Sequence, residues 1–128
     1  MSRAGASLLL VAVLLLPACQ EPASSFAIRG VVTAGPVCPV VTDPPDPSCE
    51  DRPVAGAELL IRDESGAEVA RVRSQEDGSF SVSVPAAGRY SLIPQPIEGL
   101  LGTAPAVDIV IEDADHPPVL VVYDTGIR

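Results

Sequence analysis

Two cysteines, Cys38 and Cys49, stand in GPVCPVVTDPPDPSCEDR with ten residues between them, and the only histidine, His116, lies far downstream in DADHPP. Structural zinc takes about four ligands and pairs its cysteines roughly two to four residues apart, so neither the spacing nor the ligand count fits. A redox pair reads Cys-x-x-Cys at a helix N-terminus, which lowers the thiol pKa. VTDPPDPS starts no such helix. A covalent crosslink remains, and its formation depends on the compartment. Asp113-Ala114-Asp115-His116 offers a cation site or part of a Ser-His-Asp triad, but it reads as a solvated turn, and no Gly-x-Ser-x-Gly elbow accompanies it. Asp43, Asp46, Glu50 and Asp51 crowd the cysteine-bounded loop and are calcium candidates, since calcium takes about six to eight oxygens. The Asp-x-Asp-x-Asp-Gly order of a calcium loop is missing. The chain is read as non-enzymatic, with no cofactor.

The compartment is written at the N-terminus. MSRAGASLLLVAVLLLPACQ has one positive charge at Arg3, an unbroken apolar run over 8–16 and a small-residue approach to Cys19. That run is far short of the ~20 residues that span a bilayer, so it reads as the core of a secretory signal that is removed. Leu16-Pro17-Ala18-Cys19 resembles the lipobox of bacterial lipoproteins, with an aliphatic residue at −3, a small one at −1 and an obligatory cysteine; Pro17 departs from the usual Ala, Ser or Thr. The resemblance implies a signal peptide over 1–18, lipidation of Cys19, a lipidated tether over 19–25 and an extracytoplasmic place on the cell membrane or outer membrane. One acyl chain holds a bilayer marginally, whereas two or more, at ~0.8 kcal/mol per buried methylene, anchor it.

With Cys19 given to lipid, two cysteines are left outside the cytoplasm, where thiols are oxidised in pairs. Cys38 and Cys49 are therefore expected to join, a bond worth roughly 3 kcal/mol for so short a loop. Pro39, Pro44, Pro45 and Pro47 restrict the same loop further.

The part after the leader has 110 residues counting Cys19, enough for one domain over 26–128. All 17 acidic residues lie there against seven arginines and no lysine, so its charge is close to −10. Such a surface repels nucleic acid and anionic headgroups. The expected partners are the membrane, through the anchor, and an envelope protein or glycan.

The elements that position these residues are strands. Helical periodicity is missing and alternation recurs. In DGSFSVSVP, Phe80, Val82 and Val84 share one face and Ser79, Ser81 and Ser83 the other, behind an Asp77-Gly78 turn. GRYSLIP turns Tyr90 and Leu92 inward, so 78–94 reads as a hairpin. The segments 58–62 and 69–73 flank the turn Asp63-Glu64-Ser65-Gly66 as another. The first strand is expected over 26–33; Val107, Ile109 and Ile111 alternate, and an apolar run over 119–123 closes the chain. IPQPIEGLLGTAP is too proline-rich for a strand interior and is expected to cover one end of the core. Seven short strands predict an antiparallel β-sandwich.

Gly30-Val31-Val32, the V-x-G-A of 54–57, the D-x-x-G turn of 63–66, D-G-x-F-x-V over 77–82 and A-G-x-Y-x-L over 87–92 are similar to carboxypeptidase regulatory-like domains, which are transthyretin-like sandwiches neighbouring carbohydrate-binding-like folds. The likeness covers 26–124 and implies a fold more than a function. Hydroxyisourate hydrolases of related fold end in Tyr-Arg-Gly-Ser and carry an early histidine; this chain has Tyr123-Asp124-Thr125-Gly126 and no early histidine. The Lys-Asn isopeptide bond of some adhesin sandwiches is impossible without lysine or asparagine. Sugar binding uses exposed aromatics; there is no tryptophan, and Phe26 and Tyr123, near strand ends, are the residues left for ligand contact. The expectation is a non-enzymatic envelope lipoprotein, a binding or structural module whose contact surface is the loop over 36–53. A carbohydrate-binding module is the alternative, and a hydrolase centred on His116 a third reading.

Overall fold

Alternation along Phe26–Gly35 (β1) buries Ile28, Val32 and Ala34 while Arg29 and Val31 stay exposed, so one face of the strand meets a core and the other meets solvent. The computed structural model describes residues 25–128. The expected signal peptide, the Cys19 lipid site and nearly all of the tether lie outside the described residues.

After β1 come Arg52–Pro53 (β2), Glu58–Asp63 (β3), Glu68–Arg73 (β4), Ser79–Val84 (β5), Gly88–Pro94 (β6), Val107–Ile111 (β7) and Val119–Asp124 (β8). One sheet, A, is organised around β1. It pairs antiparallel with β5 over 26–31, antiparallel with β2 at Thr33 and Ala34, and parallel with β8 over 30–35. The other, B, runs β4-β3-β6-β7 and is antiparallel throughout. The inner faces close on Ile28, Val32, Leu59, Ile61, Phe80, Val84, Leu92, Ile109, Val121 and Tyr123, an aliphatic core with few aromatics.

The β-sandwich expected from the sequence is the fold observed, with three differences of detail. The two-residue β2 makes eight strands rather than seven. The sheets are not wholly antiparallel, because β8 returns alongside β1 in the same direction. And 78–94 is an arch rather than a hairpin: β5 pairs with β1 in sheet A, β6 with β3 in sheet B. Phe80 and Val84 point inward from one sheet, Tyr90 and Leu92 from the other, so a hairpin and an arch bury the same residues. Alternation identifies the buried face but not the ladder partner. The hairpin of β3 and β4 forms as expected.

Two glycines permit close approaches. At Gly30 a Cβ would overlap the Val119 carbonyl and come within 2.8 Å of the Phe80 ring, so β8, β1 and β5 can draw together only over a bare Cα. Gly78, at φ 81°, makes the turn into β5, and its N–H donates to the Gln75 carbonyl at 2.9 Å. Ser74, buried among apolar neighbours, donates its hydroxyl to the Val54 carbonyl at 2.5 Å and accepts from the Ala57 N–H at 2.9 Å, fixing the corner before β3.

Because β1 and β8 run the same way, the molecule has two poles. Ser25 enters at one; the loop over 36–51 and the C-terminal tail leave at the other. A ten-residue strand separates them, roughly 33 Å at ~3.3 Å per residue.

Candidate functional site

The candidate site is the loop over 36–51, built from its crosslink outward. Cys38 and Cys49 are joined, with their Cα atoms 5.3 Å apart. The second cysteine ends a single 3-10 turn, Pro47–Cys49, opened by Pro47 and capped by Asp46, whose Oδ1 accepts from the Ser48 N–H at 2.9 Å and from its hydroxyl at 2.7 Å. Those bonds hold the Asp46 carboxyl below its ordinary pKa, the hydroxyl being the larger influence. The loop root is tied to the chain end: the Thr125 N–H donates to the Gly35 carbonyl at 3.2 Å and its hydroxyl to the Pro36 carbonyl.

At the tip the loop exposes apolar side chains. Val40 is 67% exposed and Val41 91%, with Leu101 of the neighbouring connection at 58%. Below the tip lies a depression of about 280 Å³ that Cys38, Val40, Val41 and Cys49 help to line. Beside the root, Ala34, Val37, Arg52, Leu100, Thr125 and Ile127 enclose another of about 330 Å³. The same loop carries Asp43, Asp46, Glu50 and Asp51 and no cation. Its surface is therefore an apolar tip with an acidic collar.

The four carboxylates do not converge. Asp46 is turned onto Ser48, Asp51 lies against Gly35, and among the described residues no group of three or more His, Cys, Asp or Glu side chains is placed to hold a metal ion. The calcium candidates thus remain separate acidic groups.

His116 is half-buried, and its Nδ1 is 2.7 Å from the Pro117 carbonyl, which fixes that nitrogen as the donor. Asp115 is occupied on both oxygens, by the Ala27 N–H at 2.7 Å and by Arg29 Nη2 at 2.9 Å. It clamps the β7–β8 connection to the start of β1 and is committed to structure, not to orienting an imidazole. A further cavity of about 240 Å³, on sheet B, is lined by Asp63, Glu64, Arg89, Tyr90, Asp108 and Ile109 among others. It brings together no serine, histidine and acid in the relation a hydrolase needs.

Tyr123 requires a correction. Expected near the surface as a ligand contact, it is fully buried, and its hydroxyl donates to the Gln95 carbonyl at 2.7 Å. Burial pushes its phenol pKa up. A strand end at the rim was the sequence signal for exposure, but the connection over 95–106 folds across that rim, as its proline content suggested. Phe26 is half-buried and packs against the core. Since Tyr123 lies opposite Ala34 and Phe26 begins the same strand, the two aromatics sit at opposite poles and share no site.

What sequence reasoning missed is the tip itself. Val40 and Val41 are ordinary residues for a strand, and no pattern in the sequence marks them as exposed. No sequence pattern marked Ser74, whose role depends on Val54 and Ala57 being brought to it.

No family model and no curated protein matches the chain. Solved structures do share its fold. The TIE protein of Bacillus anthracis is 18% identical, with a TM-score of 0.56 over 78% of this chain and 17% of its own. GBS52, the minor pilin of Streptococcus agalactiae, gives 13% identity and a TM-score of 0.58 over 79% of this chain and 44% of that one. The shaft pilin SpaA of Lactobacillus rhamnosus GG gives 8% and 0.58 over 78% and 49%. The chain spans less than half the length of each. At such identities the likeness is one of fold.

Proposed function

We propose that the chain is a non-enzymatic module of the cell envelope, held outside the cytoplasm by lipid on Cys19, that presents a crosslinked loop to an envelope partner. The observation that carries this reading is the polarity of the sandwich: the chain enters at one pole, where the tether would be, and the disulfide-closed loop stands at the other, a full strand length away. An anchor at one end and a stiff, apolar-tipped loop at the other suit reaching outward from a membrane. Two of the structural neighbours that share the sandwich are pilins, which is consistent with an extracytoplasmic place. The carbohydrate-binding alternative loses its best support once Tyr123 is buried and Phe26 is packed inward.

The test is a photoreactive residue placed at Val41 in the full chain, in its own membranes, with Val110 on the outer face of sheet B as control. Adduct with another envelope component at Val41, and none at Val110, supports the reading. An absence of adduct at Val41 would leave the loop a stabilising device and overturn its role in contact.

A further inference from the structure

The strand edges of this sandwich are not equally protected. β4, at one end of sheet B, carries Glu68, Arg71 and Arg73, its ladder with β3 slips at Ile61 and Arg62, and it lies close to β5, so those two edges shield each other. β7, at the other end of sheet B, is five residues long and carries Asp108. β2 has two residues. Charge, irregular register and shortness are the devices that keep an edge from pairing with another chain. β8, the edge of sheet A, has none of them over Val119 to Tyr123, a run of VLVVY without charge, proline or glycine. It pairs with β1 and, at its last residue alone, with Leu101.

The backbone bonds show which groups are left over. The Thr125 N–H donates to the Gly35 carbonyl of β1 at 3.2 Å, and on the opposite side the Asp124 carbonyl accepts from the Leu101 N–H at 2.9 Å. Ladder groups alternate between the two sides of a strand, so Val119, Val121 and Tyr123 turn theirs toward β1 while Leu120 and Val122 turn theirs outward. Among the described residues, no protein group bonds the N–H and C=O of Leu120 and Val122. Their side chains are exposed as well, at 63% and 38%. An extended polypeptide meets both demands at once, the backbone through ladder bonds and the side chains through apolar neighbours on alternate residues. The connection into β8 adds a sign: Glu112 and Asp113 are exposed and make no ion pair among the described residues, whereas Asp115 is held by Arg29.

We propose that β8 binds along its free edge an extended segment of another protein, apolar on alternate residues and basic at the end that meets Glu112 and Asp113. A second copy of this chain is a poor occupant, because each carries a net charge of −9 and two would repel. Six residues of strand span only ~20 Å, so the contact buries well under the ~1,200 Å² of a stable interface and is weak and reversible. This surface is separate from the crosslinked loop, and the proposal does not depend on the lipid anchor.

The probe is a synthetic peptide of alternating valine and threonine with two lysines at one end, added at millimolar concentration to the full chain in detergent. Amide hydrogen exchange, read residue by residue by NMR, reports the ladder directly. In the free chain, Leu120 and Val122 are expected to exchange at least tenfold faster than Val121 and Tyr123. The peptide is expected to slow Leu120 and Val122 at least tenfold and to leave the amides of β7 unchanged. The same peptide methylated at every amide nitrogen is expected to slow neither, and one with glutamates in place of the lysines to need at least tenfold more. Val122→Pro removes one outward N–H and keeps the bonds to β1; with its fold checked by the urea midpoint, it is expected to weaken the protection of Leu120 at least tenfold. Slow exchange at Leu120 and Val122 in the free chain, no slowing by the peptide, or equal slowing by the methylated or glutamate forms overturns the proposal. So does protection that grows with the concentration of the chain alone, since the occupant would then be a second copy.

Discussion

Tyr123 shows how one polar atom decides the character of a side chain. Its ring fills the far end of the core and its hydroxyl satisfies the Gln95 carbonyl, which the connection crossing that end would otherwise leave unpaired. Tyr123→Phe keeps the ring and removes the donor, so a loss of about 1–2 kcal/mol is expected in urea denaturation. An unchanged midpoint would mean that water serves that carbonyl equally well. Asp124 is the second informative residue. Hydrogen bonds from Arg128 first, and then from the Gly126 N–H, lower its carboxyl pKa from 3.8 to about 2. A folded-state pKa below the unfolded one means that the contribution to stability is complete above the unfolded value and is lost as pH falls through about 2. In an NMR titration Asp124 is expected to titrate near 2 in the intact chain and higher in Arg128→Ala. An ordinary carboxylate midpoint in the intact chain would contradict the clamp. Asp46, Asp63 and Asp77 share another habit, each accepting from the N–H and hydroxyl of the serine two residues on. The spacing is plain in the sequence; that all three acids fold back on it is a matter of turn geometry.

Elements carry the next predictions. The crosslinked loop is closed over a short span, so Cys38→Ser with Cys49→Ser is expected to lower stability by roughly 3 kcal/mol while leaving the strand signature of the circular dichroism spectrum intact. Retained stability would show that the prolines alone hold the loop. Gly30→Ala places a methyl group against the Val119 carbonyl and the Phe80 ring and is expected to cost about 1–3 kcal/mol in the same denaturation assay. Wild-type behaviour there would contradict the close approach of β8 to β1. These elements also mark where the sequence was legible. The inward faces of β5, β6 and β7 followed from alternation, because burial is a property of each strand by itself. The arch between β5 and β6 and the parallel return of β8 did not, because both depend on contacts between segments far apart in the chain. Tyr123 was misplaced for the same reason: its exposure is set by a connection that crosses it, not by its own neighbours.

At the scale of the whole molecule, the domain joins a charge imbalance to a geometric one. A net charge of −9 repels anionic surfaces, while one apolar loop tip is left exposed. The β-sandwich was legible because its alternation and turns recur throughout the chain. The exposed apolar surfaces were only partly so: the loop stood out by its cysteines and prolines, but Val31, Leu120 and Val122 come together only when β1 and β8, far apart in the chain, are set side by side. The account stands on the premise that the chain is anchored outside the cytoplasm, and the intact mass of the native protein under non-reducing conditions tests it most directly. The expected result is membrane-fraction protein beginning at Cys19, heavier than the bare polypeptide by its acyl groups, with Cys38 and Cys49 inert to alkylation. Soluble cytoplasmic protein with no added acyl mass and two alkylatable thiols would contradict it.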